Sequence, residues 1–344
     1  MSNAAPTPAF SLVLATYGRS DVLVPMLASL RQQTCRDFEL IVVDQNPDDR
    51  VVPLLADLAA DGIVVDHCRL AKPNLSAARN LGIARARGRV VAFPDDDCWY
   101  EPDCLEQVAR ACSAHDDVAG WVIRWVETEP GGPRPAHRLD VDAFRRFRSG
   151  DASSISLFID TTALRGIDGF DPRFGVGRYY GAGEETDLVV RLLDAGLVLE
   201  HLPSARVHHH YDTAVPALTR AALANRRRRE RGVGAMYAKH RLAAAVIARG
   251  LVAPLLKGVA SAKPLSGAFF ALATVVGRLE GMTRWRLTEG YGHGRLATGG
   301  PAGPGEPAAS AGSEGPEASG EPQGQGGSEA ASAGAGPLPG AYRR

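Results

Sequence analysis

Val90-Val91-Ala92-Phe93-Pro94-Asp95-Asp96-Asp97 is an apolar run followed at once by three carboxylates. The apolar part is typical of a buried strand, because a strand covered on both faces shows no polar alternation. Three adjacent carboxylates repel one another, and this repulsion costs stability unless a cation lies close by. A hard divalent metal that also holds phosphate oxygens is a common partner of such a cluster. The stretch therefore indicates a sheet edge suited to nucleotide-dependent chemistry.

The residues before this stretch alternate between strand-like and helix-like segments. Strand patterns cover 10–15, 38–44 and 63–65, and helix patterns fall between them and over 76–87. This alternation predicts an α/β fold with a mostly parallel, doubly wound sheet. In such sheets ligands bind outside the carboxyl ends of the strands. We therefore expect Thr16, Asp44 and Asp95–Asp97 to line one crevice.

Composition narrows the class of protein. The 344 residues include 39 acidic and 39 basic side chains, so no global field favours nucleic acid as a partner. The five cysteines are odd in number and lack paired spacing, which favours reduced thiols and a cytoplasmic location. Residues 1–8 have no basic or apolar leader pattern and are expected to be flexible.

A second acidic cluster lies at Gly183-Glu184-Glu185-Thr186-Asp187, ahead of an amphipathic segment that Gly196 ends. Acids in a first helical turn complement the helix dipole, and that role alone would explain them. The flexible Gly181 and Gly183 just upstream favour a loop that approaches a ligand closely. Both explanations stay open at this point.

Three histidines, His208, His209 and His210, follow the strand-like run 197–201. Strand residues alternate faces, so His208 and His210 are expected to point one way and His209 the other. A neutral imidazole is a good ligand for a metal already held by carboxylates, and we assign His208 and His210 to that role. The run is equally typical of a solvated strand end.

In this order, the motifs resemble the family 2 glycosyltransferases, inverting enzymes of GT-A fold that use nucleotide-sugar donors. The resemblance covers about residues 9–215. The segments that carry it are Ala15-Thr16-Tyr17-Gly18-Arg19, Glu39 to Asp44, Leu75 to Gly82, Asp95-Asp96-Asp97, Leu164 to Asp171 and Gly183 to Leu188.

The resemblance implies a role for each matched residue. Asp97 would hold the metal together with Asp95, and Glu185 would be the catalytic base. The family usually has Glu-Asp where this chain has Glu184-Glu185, so the base carries an extra methylene. Glu184 and Asp187 would lie on the acceptor side. The implied donor-binding residues are Thr16, Tyr17, Arg19, Asp44, Arg79, Asp95 and Asp96, with Asp44 facing the nucleobase.

The chemistry implied by the resemblance needs two groups. Mn²⁺ or Mg²⁺ would take up charge on the departing phosphate, and a carboxylate would accept the proton of the acceptor hydroxyl. A UDP-sugar is the favoured donor, and the acceptor is expected to be a glycan or a lipid-linked glycan. Polysaccharide or glycolipid assembly is the expected process.

The domain plan follows from these patterns. Residues 9–220 are expected to form the catalytic domain, with a donor half over 9–120 and an acceptor half over 121–220. The apolar stretches 242–256 and 264–277 lie in a helical region over 221–296, and the Gly/Ala/Pro/Ser/Glu-rich 297–344 is predicted to be disordered. The apolar stretches are short for a span, so they either lie on a membrane surface, with Arg226–Arg231 drawn to anionic lipid, or pack on the catalytic domain.

Two other classes of enzyme fit the sequence less well. A sugar-nucleotide pyrophosphorylase would carry a glycine-rich loop after the first strand, where Ala15 to Ser20 has one glycine. An acid-cluster phosphatase would carry a nucleophilic Asp at that point, and this chain has none there. A nucleotide-sugar-binding regulator without turnover remains as the alternative, because Glu185 departs from the usual acid.

Overall fold

The computed structural model describes residues 7–129, 131–148, 153–209, 217–261 and 263–288. The predictions for His210 and for 297–344 lie outside these residues. The strands are β1 Phe10–Thr16, β2 Phe38–Asp44, β3 Val64–Arg69, β4 Val90–Ala92, β5 Cys98–Tyr100, β6 Val118–Trp125, β7 His137–Arg138, β8 Leu157–Asp160 and β9 Val198–His209. The helices are α1 Leu23–Arg31, α2 Val52–Ala60, α3 Leu75–Arg85, α4 Cys104–Ala114, α5 Val141–Arg145, α6 Thr161–Gly166, α7 Glu184–Asp194, α8 Arg220–Lys239, α9 Ala244–Val259 and α10 Pro264–Thr288.

The strands form one sheet in the order β3-β2-β1-β4-β8-β6-β9-β5, with β7 paired to β9. The amino-terminal part, β1 to β4, is parallel as predicted. Strand β8 runs antiparallel to both β4 and β6, and β5 and β7 run antiparallel to β9. The α/β fold is confirmed, and the sheet as a whole is mixed rather than mostly parallel.

Helices cover both faces of the sheet, which confirms the doubly wound arrangement. One core packs α1, α2 and α4 against the sheet, and it contains the apolar side chains Leu23, Met26, Leu27 and Leu30 of α1. The other core packs α3, α6 and α7 against the opposite face. Strand β2 is buried along its whole length, as its unbroken apolar run predicts.

The parallel strands bring the predicted crevice residues to one edge. Thr16 lies opposite Asp44 where β1 and β2 end, and Ala92 of β4 lies opposite Leu12 of β1. The acidic triplet follows β4 directly. Register alone therefore places it beside the end of β1.

An antiparallel ribbon of β5 and β9 was not predicted. It pairs Cys98 with His209 and Trp99 with His208. Since Asp97 immediately precedes β5, the ribbon brings the far end of the chain's last strand to the acidic triplet. This pairing decides which histidine reaches the site.

The three carboxyl-terminal helices pack on one another and on the catalytic domain. Glycines permit the closest approaches: an added Cβ at Gly234 of α8 would clash with the carbonyl oxygen of Arg278 of α10. An added Cβ at Gly232 would clash with the carbonyl oxygen of Ala182, just before α7. Among the described residues one helix, α10, is long and apolar enough to cross a membrane by length and composition.

Candidate active site

The acidic triplet is held by two arginines from different parts of the chain, Arg19 and Arg79. Asp95 accepts a hydrogen bond from Arg79 at 3.0 Å, and Asp97 accepts one from Arg19 at 2.9 Å. Arg19 also pairs with Asp96, whose other oxygen accepts from the Thr16 hydroxyl at 3.2 Å. The predicted clustering of Thr16, Arg19, Arg79 and the triplet therefore appears in the structure. Tyr17 lies beside them and is 55% exposed.

The three carboxyls differ in their protonation. Burial raises the pKa of Asp96 to about 7, although Arg19 opposes the shift. Burial also favours the protonated form of Asp97, but the hydrogen bond and charge of His209, together with Arg19, lower its pKa to about 2. Burial also raises the pKa of Asp95, so Asp97 is the member of the triplet whose pKa is lowered. A carboxyl must be ionised to bind a metal.

Arg79 joins the triplet to the second acidic cluster. Its side chain is 2% exposed and lies between three carboxylates, with Nη1 3.4 Å from Glu185 and 3.8 Å from Glu184. Nη2 donates to Asp95 and, at 2.7 Å, to the Ser154 hydroxyl. A buried guanidinium is stable only when paired, and these acids supply its partners. The two clusters predicted from distant sequence positions thus share one cation.

Glu184 and Glu185 occupy the first turn of α7 but differ in environment. The Glu184 carboxyl is 5% exposed, and burial and the neighbouring Glu185 raise its pKa to about 8. Its Oε2 is buried without a hydrogen-bond partner among the described residues. The Glu185 carboxyl is 16% exposed and lies closer to the Arg79 guanidinium. Glu185 is thus the more accessible carboxyl of the pair.

Asp44, the acid at the end of β2, is fully buried, and both of its carboxylate oxygens have polar partners. Oδ1 accepts from the backbone and side-chain nitrogens of Asn46, both at 2.8 Å. Oδ2 lies 3.1 Å from His67 Nε2, on the neighbouring strand β3. The carboxylate thus organises the loop after β2.

The structure changes the assignment of the histidines. His209, which was expected to face away, places Nε2 3.0 Å from Asp97 Oδ1 and packs edge-on against Trp125. His208 lies on the opposite face of β9, stacked on Trp99 between Glu127 at 2.8 Å and Glu101 at 3.2 Å. The register of β9 against β5 turns the imidazole of His209, rather than that of His208, towards the triplet. His210 lies outside the described residues.

Asp187 is fully buried and bound by Arg191 at 2.8 Å, His240 at 2.9 Å and Lys239 at 2.6 Å. Despite burial, the His240 hydrogen bond and the charges of Lys239 and Arg191 hold its pKa well below the usual range. Its carboxylate anchors α7 to α8 through Lys239 and His240, and its assignment to the acceptor side stays a prediction.

The donor set near Asp97 suits a divalent cation that also binds phosphate. Asp97 supplies an ionised oxygen and His209 an imidazole nitrogen, and their side chains are 14% and 5% exposed. In the part of the chain that the structure describes, no three His, Cys, Asp or Glu residues form a complete metal cage. A two-residue site is adequate for Mg²⁺-like ions, which usually complete their coordination with water and substrate phosphates.

Sequence reasoning missed two contributors to this site. Ser154, in a single helical turn before β8, gave no local signal, since serines are common in loops. His209 carried a detectable signal, because it stands within the histidine run, but the run does not reveal which face of β9 meets β5. Strand alternation limits the choice to two sets of histidines, and only the register selects one.

Part of the chain is similar to known glycosyltransferases. The model of glycosyl transferase family 2 matches residues 11–168. EpsH of Bacillus subtilis (strain 168), which is named as a glycosyltransferase, is 35% identical over 112 residues, or 33% of this chain and 33% of EpsH. Across the first curated relatives, the matched segment spans only 33% to 43% of the relative's length.

Solved structures show the fold. S. aureus TarS has a TM-score of 0.51 at 14% identity, covering 76% of this chain and 54% of TarS. TarS 1-349 in complex with UDP has a TM-score of 0.50 at 14% identity, covering 81% of this chain and 91% of that one. Identity this low supports a shared architecture and nothing finer. Residues 11–168, a little under half of the chain, are thus similar to glycosyl transferase family 2, and the solved structures share the fold around them.

Proposed function

We propose that this protein transfers a sugar from a nucleoside-diphosphate donor to an acceptor hydroxyl with inversion, assisted by Mn²⁺ or Mg²⁺. The observation that carries the proposal is Arg79, which joins Asp95 on the donor side to Glu185 on the opposite side. A buried cation shared in this way holds an ionised base at a set position relative to the donor. Such positioning is a large part of what an enzyme contributes to a displacement reaction.

Glu185 is the proposed base. Its carboxylate would accept the acceptor hydroxyl proton while the acceptor oxygen forms a bond to the anomeric carbon. The bond from that carbon to the diphosphate oxygen breaks, and the electron pair leaves with the nucleoside diphosphate. Attack from the face opposite the leaving group inverts the anomeric centre, as in direct displacement at a glycosidic carbon. Glu184 is already protonated near pH 7 and is therefore the poorer candidate.

The donor end would be held by the triplet and the loops beside it. Asp97 and His209 are the residues that would bind a divalent ion, which when bound neutralises charge on the departing diphosphate. Asp95 and Asp96 would orient the donor. Asp44, held by Asn46 and His67, would shape the nucleobase end. A uridine nucleotide is the favoured donor, in keeping with the family resemblance and with the TarS 1-349 complex with UDP.

The acceptor is proposed to be a glycan or a lipid-linked glycan, in polysaccharide or glycolipid assembly at the cytoplasmic side of a membrane. A non-catalytic regulator is not favoured, because a binder has no need of a base. The Glu185 carboxyl lies 3.4 Å from Arg79 and is 16% exposed, which supports contact with an acceptor hydroxyl.

Donor binding can be tested by thermal shift with UDP-, GDP- and dTDP-sugars, with and without Mn²⁺. A ligand at ~100 times its Kd stabilises the native state by ~2.7 kcal/mol. We expect a metal-dependent shift for the correct donor that is lost in Asp97→Asn and retained in Asp117→Asn, an exposed acid on the surface. Metal-independent shifts of equal size in all three proteins would contradict the donor site.

Catalysis can be tested by release of nucleoside diphosphate with pooled sugar acceptors. Glu185→Gln should lower kcat by ~10²–10⁴, the usual contribution of a general base. Glu184→Gln should lose far less, since Gln resembles the protonated acid already present. Glu106→Gln, on the surface of α4, is the matched control. Full turnover in Glu185→Gln would rule out its role as base.

A further inference from the structure

We propose that the tip of the hairpin formed by α9 and α10, residues 252–272, docks on the surface of a membrane that contains anionic lipid. This proposal is independent of the transfer reaction proposed above. It concerns exposed side chains of α9 and α10.

The hairpin tip exposes a group of large apolar side chains. On α9 they recur at helical spacing, so they share one face, and the same holds on α10. The most exposed are Val252 at 51%, Leu256 at 67%, Val259 at 69%, Leu265 at 72%, Phe269 at 45% and Leu272 at 54%. Single exposed apolar residues are ordinary, but a contiguous group on two adjoining helices indicates an interaction surface.

The two helices present this surface as one rigid unit. Gly258 and Gly267 allow their backbones to touch: an added Cβ at Gly258 would lie 2.6 Å from the carbonyl oxygen of Gly267. Because close backbone packing leaves the helices little freedom to move, the apolar faces of α9 and α10 keep a fixed orientation relative to each other. The docking surface is therefore already formed in the free protein.

The positive charge of this region favours an anionic partner. The sequence contains no Asp or Glu between Glu230 and Glu280, yet Arg241, Arg249, Lys257 and Lys263 lie within that interval. Lys257 and Lys263 flank the turn between the helices. An apolar surface bordered only by cations matches a membrane whose headgroups are negative, each nearby cation contributing about 1 kcal/mol.

The packing of α10 favours a surface position over a span. In its second half, Arg278 donates to Glu230 of α8 at 2.7 Å, and Trp285 packs on Phe174 and Tyr180 ahead of α7. The exposed Leu265, Phe269 and Leu272 all lie in its first half, residues 264–276. At 1.5 Å per residue this half is ~20 Å long, shorter than the ~30 Å hydrocarbon core.

The arginine run of α8 is a poorer candidate for lipid contact than its composition implies. Arg226 pairs with Glu230, while Arg227 and Arg231 pair with Glu280 of α10. Arg231 also lies over the Tyr179 ring, 4.4 Å from its centroid. Much of this charge is thus compensated within the protein, and the run joins α8 to α10.

Other occupants fit this surface less well. Residues 289–344 contain only Tyr291, Leu296, Leu338 and Tyr342 as large apolar residues, too few to cover it. A second copy of the chain would bring the cations of two hairpins together, and like charges oppose such a dimer.

The test is flotation of the full chain with vesicles of phosphatidylcholine, with or without 30 mol per cent phosphatidylglycerol (roughly the anionic share that gives a strong surface potential). We expect flotation with the anionic vesicles and at least ~10-fold weaker binding to the neutral ones, since surface cations add to apolar burial. Combined Leu256→Ser, Val259→Ser, Leu265→Ser and Phe269→Ser should lower anionic binding by ~10-fold or more, because each buried apolar side chain adds to affinity. Lys263→Glu should weaken only the anionic preference.

The matched control is Val24→Ser with Val64→Ser, two comparably exposed valines on α1 and β3. Melting temperatures establish that each variant is folded, and light scattering without vesicles gives the mass. Equal flotation of wild type and the four-serine variant would overturn the proposal. So would a dimer that the four serines convert to a monomer, since the surface would then belong to a second copy.

Discussion

At the scale of single residues, the environment of each acid decides what it can do. Asp95, Asp96 and Asp97 are chemically identical, yet their cationic partners and burial differ. His209 and Arg19 keep Asp97 ionised, and burial keeps Asp96 near half-protonation at pH 7. The environments of Glu184 and Glu185 also differ. The Glu184 carboxyl is more deeply buried, whereas the Glu185 carboxyl is more exposed and lies closer to Arg79.

Glu184 should make the protein less stable as the pH rises. The unfolded chain releases this proton near pH 4.5, whereas the folded protein holds it to about 8. Stability is therefore lost across that window, at up to ~1.4 kcal/mol per pH unit. Glu184→Gln removes the titrating group, so its melting temperature relative to wild type should rise from pH 5 to pH 8. A difference that stays flat with pH would contradict the raised pKa.

Alanine substitutions of His208 and His209 are expected to differ in their effect on metal binding. Loss of even an outer-shell partner usually weakens metal binding by ~10–100-fold. With saturating UDP, His209→Ala should therefore raise the Kd for Mn²⁺ by at least ~10-fold, measured by calorimetry. His208→Ala should stay within about 2-fold, because its ring contacts Glu101 and Glu127 instead. Equal effects of the two changes would mean that neither imidazole is a ligand.

At the scale of elements, glycines set how closely helices approach. Gly234 lets α8 lie against the backbone of α10 at Arg278, and Gly232 lets α8 lie against Ala182 ahead of α7. The second contact brings α8 against the loop that leads into α7, whose first turn carries Glu184 and Glu185. Composition alone would treat the same glycines as weak points in a helix.

Gly234→Ala should accordingly destabilise the protein. The added methyl meets a backbone oxygen that cannot move aside cheaply, and overpacking typically costs ~1–3 kcal/mol. Gly166→Ala, at the end of α6, is the matched control, since nothing lies within 4 Å of an added Cβ there. Denaturant melts of the two variants measure the difference. Equal stability of both would show that α8 and α10 can separate without cost.

At the scale of the whole molecule, the carboxyl-terminal helices are part of the structure that supports the acidic pair. Lys239 of α8 bridges Asp171 and Asp187 at 2.6 Å each, joining the loop before the site to the helix that carries Glu185. Phe174, Tyr180 and Trp285 form a shared core across the same junction. The boundary predicted at residue 220 therefore marks a change in sequence pattern. The side-chain packing of the catalytic domain continues across it into α8 and α10.

Lys239→Met should cost about 2–4 kcal/mol, because two buried carboxylates lose a common partner. A double-mutant cycle with Asp187→Asn isolates the pair, and its coupling energy should exceed ~0.5 kcal/mol. Donor turnover should fall with Lys239→Met even at temperatures where the variant is folded. Additive losses would instead make α8 a neighbour without influence on α7.

The sequence by itself determined the parallel amino-terminal strands, the buried stripe of α1 and the meeting of Thr16 with the triplet. These follow from local periodicity and from the rule that parallel strands end at one edge. The tertiary structure decided that His209 faces Asp97, that Asp187 is bound by Lys239 and His240, and that Arg79 lies between the two acidic clusters. Each depends on register or helix packing between segments far apart in the chain, where many pairings satisfy the same local pattern and only the packed core selects one.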